Sequence, residues 1–324
     1  MASIRDVAKQ AHVAPSTVSL VLNNSGYVSE ETRKKVEQAM EELDYVPNAM
    51  ARNLFRNKTN IVGVIVPDIA HPFFGTFVKY AEEKLYALGY KTMVCSTSGR
   101  DEAEKEYLEM LRMQVMDGII MGAHTLEVED YLRVKRPMIA IDRYLEDIPV
   151  IGADHKKGGQ LAAEKFIQTG CRKVVQITGA KIVGTPAHES HPVFAETLRK
   201  AGICVEEIEM GWNRFEPQDF LETARTLFRK YPDAEGIFGA DMAVAACMQQ
   251  GAAMGKKIPR ELQLIAYDGT YITELNEHSL TAVVQPIREL ACCAAEEIVQ
   301  YIAGNKPPMR KLLDVKLIQR QTTK

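Results

Sequence analysis

The chain has 324 residues, which is too long for one ordinary hydrophobic core and indicates two or three domains. Hydrophobic residues make up 46% and charged residues 26%, as in an ordinary soluble globular protein. The formal net charge is -3, and residues 1–58 hold eight Lys and Arg against seven Asp and Glu. This balance excludes binding to nucleic acid through bulk positive charge, so any DNA binding must rest on placed contacts and on dimerisation.

The cysteines do not predict a zinc-finger protein, and the N-terminus does not predict a secreted or membrane protein. None of the six cysteines forms a CxxC pair or shows zinc-finger spacing, and Cys292 and Cys293 fall in an Ala-rich helical stretch where thiols fill core space. The N-terminus MASIRDVAKQ has no apolar signal region, and no apolar run approaches about 18 residues. We therefore expect a cytosolic protein without a membrane partner.

Residues 4–22, IRDVAKQAHVAPSTVSLVL, show two short helical patterns separated by the polar stretch HVAP. Pro15 marks the start of the second helix, because proline is tolerated in a first turn. Two short helices joined by a tight turn indicate a helix-turn-helix, in which the N-terminal part of the second helix faces the DNA major groove. Here that part comprises Pro15, Ser16, Thr17, Ser19 and Leu20. The alternative is a helical hairpin that only packs.

A third helix and a linker follow. Residues 29–45 begin with Ser29, and Val36, Ala39, Met40 and Leu43 recur at helical spacing. Residues 46–60 form the linker, in which Pro47 breaks the third helix, and AMARNLF is too short to be a stable helix alone.

The linker combines basic residues with an apolar side chain. Arg52, Arg56 and Lys58 accompany Leu54, and such a combination is what minor-groove insertion needs. The alternative is a plain interdomain linker.

From residue 61, apolar strand patterns alternate with amphipathic helices in two successive series. The first begins IVGVIVPD and the second begins GGQLAAEKFIQTG, followed by KVVQITG. Strands that are apolar throughout and separated by helices imply parallel sheets covered on both faces. The sequence therefore predicts two doubly wound subdomains.

Ligands of open α/β sheets bind outside the carboxyl ends of the strands. Several predicted strands end in a carboxylate, and aromatic residues follow the first of them, which suits a polyhydroxy ligand such as a sugar. These strand-end residues are Asp68, Asp142, Asp154, Asp241 and Asp268. The alternative for each is a cap on the next helix. Asp142, followed by Arg143, and Asp268, preceded by Tyr267, are the strongest binding candidates.

Enzymatic motifs are absent or weak. The chain has no Walker loop, no GxSxG and no GxGxxG, so no enzymatic activity or cofactor is predicted. His188 and His191 share a helical face, as metal ligands do, but a solvated helix start explains them equally well.

Taken together, these segments resemble the LacI/GalR family of bacterial transcription regulators. The motifs that carry the resemblance are DVAKQAHVAPSTVS, VSEETRKKVEQAMEELDYVPN, NAMARNL and IVGVIVPDIAHPFF, and later VMDGIIMGA, YDGT and VVQP. The resemblance extends from about Ile4 to the end of the chain. GAH, DRYL, YDGT and VVQP look most similar to the sucrose- and fructose-responsive branch.

The resemblance implies an all-α helix-turn-helix head at residues 1–45, a hinge helix at 46–60, and an α/β core at 61–324 similar to periplasmic binding proteins. The first subdomain would comprise about 61–156 and 287–312, and the second about 157–286 and 313–324. It also implies a homodimer on a pseudo-palindromic operator, with a small-molecule effector between the subdomains.

The resemblance also assigns site residues by position. For DNA they are Pro15, Ser16, Thr17, Ser19, Leu20, Asn23 and Tyr27 of the head, with Asn48, Ala51 and Leu54 of the hinge, where Leu54 is the minor-groove wedge. For the effector they are Phe73, Asp142, Arg143, Ser190, Asp241, Asp268 and Gln285.

The head departs from the family pattern at two positions. Leu20 stands where Arg is usual, and an apolar side chain can contact only a thymine methyl rather than read guanine, so we expect an unusual operator. Ala14 replaces the usual Ser cap, which costs about 1 kcal/mol, although Pro15 partly offsets this loss by restricting the unfolded chain.

The second subdomain departs at Ser190, where the family has an Arg that grips sugar hydroxyls, and at Ala240, where Asn is common. These departures leave open a phosphorylated or non-sugar effector, or binding through His188 or His191.

We therefore predict a cytosolic dimeric repressor of carbohydrate-utilisation genes, gated by a sugar or sugar phosphate. One alternative is a family member gated by a protein partner, which the loss of the Arg at Ser190 favours. A transport-type sugar-binding protein and an α/β enzyme are the others. The helical head opposes the first of these, and the missing nucleophile-base pair opposes the second.

Overall fold

A computed structural model describes residues 2–23, 25–46, 58–98, 100, 102–123, 125–145, 147–180, 186–211, 214–275 and 278–324, without the side chains of 186 and 187. The chain divides into two compact units, Met1–Thr59 and Asn60–Lys324. Among the helices described, none has the length and apolar character needed to cross a membrane.

The first unit contains three helices in its described part, α1 (Ile4–Gln10), α2 (Pro15–Asn23) and α3 (Glu30–Glu42). Their apolar faces meet in one small core, as the helical spacing predicts. The buried residues of this core are Val7, Ala8, Ala11, Val18, Val21, Val36 and Ala39.

The helix starts follow from local hydrogen bonding. At α1, Ser3 Oγ accepts from Asp6 N (3.4 Å) and Asp6 Oδ2 accepts from Ser3 N (2.8 Å), which forms a capping box. At α2 the backbone carbonyl of Ala14 accepts from Thr17 N at 2.9 Å, but its methyl side chain cannot cap. The third helix ends at Glu42, earlier than predicted, and Asp44 adopts a left-handed conformation (φ 45).

The second unit is built on two six-stranded sheets in its described residues. The first sheet has the order β11-β5-β4-β3-β1-β2, with all neighbours parallel. Its strands are β1 (Ile61–Val66), β2 (Lys91–Ser96), β3 (Gly118–Met121), β4 (Met138–Ile141), β5 (Val150–Ala153) and β11 (Arg310–Leu313). The helices that accompany it are α4 (Pro72–Ala87), α5 (Ala103–Arg112), α6 (Val128–Leu132) and α11 (Ile287–Ile302).

The second sheet has the order β12-β10-β9-β8-β6-β7 and is parallel except that β12 runs antiparallel to β10. Its strands are β6 (Lys173–Thr178), β7 (Cys204–Glu209), β8 (Gly236–Ala240), β9 (Gln263–Asp268), β10 (Thr281–Val284) and β12 (Lys316–Ile318). Its helices are α7 (His155–Gln168), α8 (Ser190–Lys200), α9 (Pro217–Lys230) and α10 (Asp241–Ala253), with short 3-10 turns at Pro186–Glu189 and Tyr271–Thr273. The predicted architecture of two doubly wound subdomains is confirmed.

The chain passes between the sheets after β5, after β10 and after β11. Leu313 pairs with Ala153 in the first sheet, whereas the predicted boundary placed it in the second subdomain. We call the parts built on the two sheets the first and the second subdomain. With the strand orders given above, the carboxyl ends of strands from both subdomains border one cleft.

Candidate effector cleft and DNA-binding head

The outward face of α2 carries the residues predicted to read DNA. Val18 and Val21 are buried against the other head helices, which turns Pro15 and Ser16 to the surface and leaves Leu20 37% exposed. Thr17 and Ser19 are half-buried beside them. An exposed N-terminal half on a short second helix is the geometry that a helix-turn-helix presents to the major groove.

Two further predicted residues lie at the end of α2 and after it. The Asn23 side chain donates from Nδ2 to the Ser19 carbonyl at 2.9 Å and to Ser19 Oγ at 3.2 Å. Tyr27 is 95% exposed, so its ring is available to a partner. The hinge residues Asn48, Ala51 and Leu54 lie outside the described residues.

A cleft of about 300 Å³ lies between the two subdomains. Its walls are formed by residues at or just after the carboxyl ends of strands in both sheets, as expected for ligand sites in open α/β folds. Predicted residues that line it are Phe73, Asp142, Asp268 and Gln285. Further polar lining residues are His71, Thr97, Thr125, Thr178, His188 and Arg214.

Two carboxyl groups enter this cleft from opposite subdomains. Asp142 follows β4 and Asp268 ends β9, and both have positive φ angles, 49 and 110. Non-glycine residues rarely adopt such angles, and when they do the strain often marks a functional position. The conformation directs an acid into the cleft from each sheet.

Asp268 is held by Gln285, whose Nε2 donates to Asp268 Oδ1 at 2.7 Å. Burial and the neighbouring Asp241 raise the pKa of Asp268 well above its usual range. Asp268 therefore keeps its proton to higher pH than an exposed acid, and it can both donate to and accept from a hydroxyl group.

Aromatic rings form one end of the cleft. His71, Phe73 and Phe74 at the start of α4 belong to the first subdomain, and Phe215 before α9 belongs to the second. The His71 ring lies 5.2 Å from that of Phe215 and 5.5 Å from that of Phe74, centroid to centroid. Burial lowers the pKa of His71 to about 4, so the imidazole is neutral at physiological pH. Apolar ring faces beside acids are a common way to hold sugars.

Three predicted effector residues do not line the cleft, for different reasons. The Arg143 guanidinium lies over the Tyr131 ring, 5.9 Å from its centroid, and donates to the Leu126 carbonyl. Ser190 is buried at the start of α8, where its backbone packs against Gly159 of α7.

The third is Asp241, which is 2% exposed. It accepts hydrogen bonds from Gly269 N (3.2 Å), Thr270 N (2.6 Å) and Thr270 Oγ1 (2.7 Å). Burial raises its pKa to about 6 despite these bonds. Asp241 therefore supports the loop after Asp268, and only Asp268 of the two lines the cleft.

The sequence did not single out several cleft residues. Thr97, Thr125 and Thr178 follow or end strands, and this position is the only signal that would have found them. Arg214 lines the cleft while its Nη1 donates to Asp219 Oδ1 at 2.7 Å. It is the one Lys or Arg among the described lining residues.

Of the histidine pair noted in the sequence, His188 lines the cleft and His191 does not. The His188 and His191 rings are 5.9 Å apart, centroid to centroid. Among the residues with described positions, no group of three or more His, Cys, Asp or Glu could hold a metal ion.

Comparison with protein families matches both units of the chain. Residues 3–48 match the model of bacterial regulatory proteins of the lacI family. Residues 59–322 match the model of periplasmic binding proteins and the sugar binding domain of the LacI family.

Two curated relatives align with this chain over almost the whole length of both proteins. A ribose operon repressor of Halalkalibacterium halodurans is 35% identical, over 100% of this chain and 98% of that protein. A sucrose operon repressor of Streptococcus mutans is also 35% identical, over 98% of each.

Solved structures agree with this relationship. A periplasmic binding protein/LacI transcriptional regulator from Alkaliphilus metalliredigens in complex with D-xylulofuranose is 29% identical with a TM-score of 0.73, over 82% of this chain and 99% of that one. The lac repressor dimer bound to operator and the anti-inducer ONPF shares the fold, with a TM-score of 0.86 at 24% identity over 99% of both chains. The chain thus belongs to the LacI family of bacterial regulatory proteins, and it is a sequence-specific DNA-binding transcriptional regulator whose core is of the family's sugar-binding type.

Proposed function

We propose that this regulator represses carbohydrate-utilisation genes and that a neutral sugar in the cleft sets its affinity for the operator. The observation that carries the proposal is the pair of acids, Asp142 and Asp268, that enter the cleft from opposite subdomains beside the His71, Phe74 and Phe215 rings. Acids bind the hydroxyl groups of a sugar, and the rings cover its apolar face.

The charges of the cleft favour a neutral sugar over a sugar phosphate. Asp142 and Asp268 bring no positive charge to it, and Arg214, the one Lys or Arg among the described lining residues, is paired with Asp219. A phosphate would need donors free to replace its water shell.

The relatives suggest a furanose ring. Sucrose carries a fructofuranosyl ring, and ribose and xylulose both close into furanose rings. The names of the ribose operon repressor, the sucrose operon repressor and the D-xylulofuranose complex contain these sugars. No relative described above supports gating by a protein partner, the alternative that the change at Ser190 raised.

For DNA binding, we propose that Pro15, Ser16, Thr17, Ser19 and Leu20 face the major groove, because they form the exposed side of α2. Tyr27 and Asn23 would contact the duplex beside them. Asn48, Ala51 and Leu54 would act in the minor groove, as the family resemblance implies. The chain would act as a homodimer in the cytoplasm, where bacterial operators lie.

The gating follows from the two-subdomain cleft. A ligand that binds both Asp142 and Asp268 favours one relative position of the subdomains, and any state with a different position has lower ligand affinity. The sugar therefore shifts the population between a DNA-binding and a released state, and its differential affinity sets the size of the shift.

Calorimetric titration of the full chain with D-ribose, D-fructose, D-xylulose, sucrose and D-fructose 6-phosphate tests the proposal. We expect at least one neutral sugar to bind. We expect Asp268→Ala to weaken that binding by about tenfold or more, because charged or buried polar groups contribute about 1.5–3 kcal/mol each. Asp233→Ala is the matched control, since Asp233 is a surface acid that pairs with Lys173. Binding of the phosphorylated sugar alone would contradict the charge argument, and binding of none would contradict the sugar proposal.

A further inference from the structure

Three side chains, two of them buried, form a continuous hydrogen-bonded chain that joins the two subdomains. His155 Nε2 lies 2.9 Å from Asp142 Oδ1, and His155 Nδ1 lies 2.7 Å from the Tyr267 hydroxyl. Asp142 follows β4 of the first sheet, Tyr267 belongs to β9 of the second, and His155 opens α7 where the chain crosses between them. His155 is 2% exposed and Tyr267 is 8% exposed. We call these three residues the junction relay.

Glycines make room for both ends of the junction relay. A Cβ atom at Gly152 would collide with Asp142 Oδ1, and a Cβ at Gly158 would lie 2.7 Å from the Tyr267 hydroxyl. Contacts this close do not occur between real side chains, so any larger residue at either position would displace one end of the relay. The local sequence VIGADHKKGG thus places His155 between two glycines that the relay needs.

The partners fix the direction of the hydrogen bonds. A carboxylate only accepts, so the His155 Nε2 carries the proton and donates to Asp142. The Nδ1 atom then accepts from the Tyr267 hydroxyl. Burial, with nearby acids, raises the pKa of Tyr267 well above 10, so its phenol keeps the proton that it donates.

The junction relay leaves one oxygen of Asp142 for a ligand. Both hydrogen bonds that the described residues make to this carboxylate, from His155 and from Ala153 N (3.1 Å), go to Oδ1. Asp142 lines the cleft, and its side chain is 14% exposed. Oδ2 is therefore positioned to accept a hydroxyl hydrogen from a ligand in the cleft.

We propose that His155 and Tyr267 are positioning residues that hold the Asp142 carboxylate for the effector and make its position depend on the second subdomain. This inference rests on the proposed function for the identity of the ligand as a sugar. Neither His155 nor Tyr267 lines the cleft, so both act through Asp142.

The coupling follows from where the ends of the relay are anchored. A movement that separates β4 from β9 must lengthen one of the two hydrogen bonds of His155. Asp142 then loses its fixed orientation and binds the effector hydroxyl less well. By reciprocity, a sugar bound at Asp142 stabilises the subdomain arrangement in which the relay is intact.

The first test uses the ligand-free full chain. In 15N-histidine-labelled protein, two-bond 15N–1H spectra report which ring nitrogen carries the proton, and the loss of one signal set in His155→Gln assigns His155. We expect the Nε2–H form, with the Nδ1 resonance shifted by Tyr267→Phe. Tyr90→Phe is the matched control, because Tyr90 is a tyrosine of the first subdomain with the same 8% exposure. An Nδ1–H or doubly protonated ring, or a resonance that Tyr267→Phe does not move, overturns the relay.

The second test measures binding of D-ribose, D-fructose and sucrose by calorimetry. We expect Tyr267→Phe and His155→Leu to weaken the sugar that binds by about five- to tenfold, which corresponds to one buried hydrogen bond. His155→Gln should retain most of the affinity, because its amide presents a donor and an acceptor to the same partners. A purely structural role would lower the melting temperature in both His155 variants without separating their affinities.

The two tests distinguish failure of this inference from failure of the proposed function. If no sugar binds to the wild-type chain, the proposed function fails while the histidine spectra still decide whether the relay exists. If a sugar binds and Tyr267→Phe binds it as tightly as the wild type, the positioning role is overturned.

Discussion

Glu104 provides a sharp test of how the first subdomain holds its side of the cleft. This carboxylate lies on α5 and is 1% exposed. It accepts from Thr125 N (2.8 Å), Thr125 Oγ1 (2.5 Å) and the Tyr131 hydroxyl (2.5 Å). Because Thr125 lines the cleft, Glu104 ties a cleft wall to the buried side of α5.

The expected loss in Glu104→Ala can be worked from these bonds. The substitution leaves the buried Tyr131 hydroxyl without this acceptor, which costs about 1–3 kcal/mol, and it removes two hydrogen bonds from the exposed Thr125, which water replaces in part. We expect a total of roughly 2–4 kcal/mol, which in a domain of this size lowers the melting temperature by roughly 4–16 °C. Glu104→Gln retains one acceptor oxygen and should lose about half as much.

Urea titration followed by circular dichroism, with calorimetric melting, measures both quantities in the full chain. Glu106→Ala is the matched control, since Glu106 is an exposed acid on the same helix. The reasoning is refuted if Glu104→Ala is no less stable than Glu106→Ala. Weakened sugar binding in Glu104→Ala, with operator binding unchanged, would show that the loss reaches the cleft through Thr125.

Three further predictions concern the two helices that pack in the second subdomain, the pH dependence of stability, and operator choice. Gly159→Ala places a methyl group against the Ser190 backbone, which cannot rotate away, so we expect the free energy of unfolding in urea titration to fall by about 2 kcal/mol or more. Gln160→Ala, at the exposed neighbouring position, should lower it far less. The pKa of His71 is lowered from 6.5 to about 4, so the unfolded chain binds a proton at a higher pH than the folded chain, and stability is lost as pH falls from about 6.5 to 4. We expect His71→Phe to remove up to about 3 kcal/mol of that loss in urea titrations across this pH range. An unchanged acid sensitivity in His71→Phe would contradict the role given to His71. Leu20→Arg should shift the selected half-site toward guanine, because a guanidinium reads O6 and N7 with a discrimination of about 1–3 kcal/mol, and an identical selected site would remove Leu20 from the reading face.

The sequence predicted those parts of the fold that have a strong local signal. Each central strand is an apolar run, and the head helices show helical spacing with a cap or a proline at their start. The edge strands β7, β11 and β12 carry charged residues such as Glu206 and Lys311 and face solvent on one side, so the apolar criterion misses them. The third helix ended earlier than its pattern because Asp44 turns the chain.

The cleft shows the same limit more clearly. Asp142 and Asp268 could be predicted because acids at strand ends meet at one edge of a sheet. Asp241 has the same position in sequence, but hydrogen bonds from the Thr270 loop turn it away from the ligand space. Such a choice depends on which loop packs beside the strand, and no local pattern encodes that.

His155 shows what the three-dimensional structure adds. In the sequence it is one histidine at the start of a helix, with no spacing that links it to Asp142 or Tyr267. Only the crossing of the chain between the sheets brings the three together. Threonines such as Thr125 likewise could not be predicted as cleft residues, because a threonine after a strand has no distinctive sequence signal until the strand order is known.

The most direct test of the central claim is a selection of bound sites from random duplex DNA by the full chain, run in parallel with and without the neutral sugar identified by calorimetry. We predict that a two-fold symmetric site is enriched, and that the sugar changes the recovery of this site without changing its sequence. The absence of any enriched site at low salt in either arm would contradict sequence-specific DNA binding. A symmetric site whose recovery is identical in both arms would contradict sugar gating.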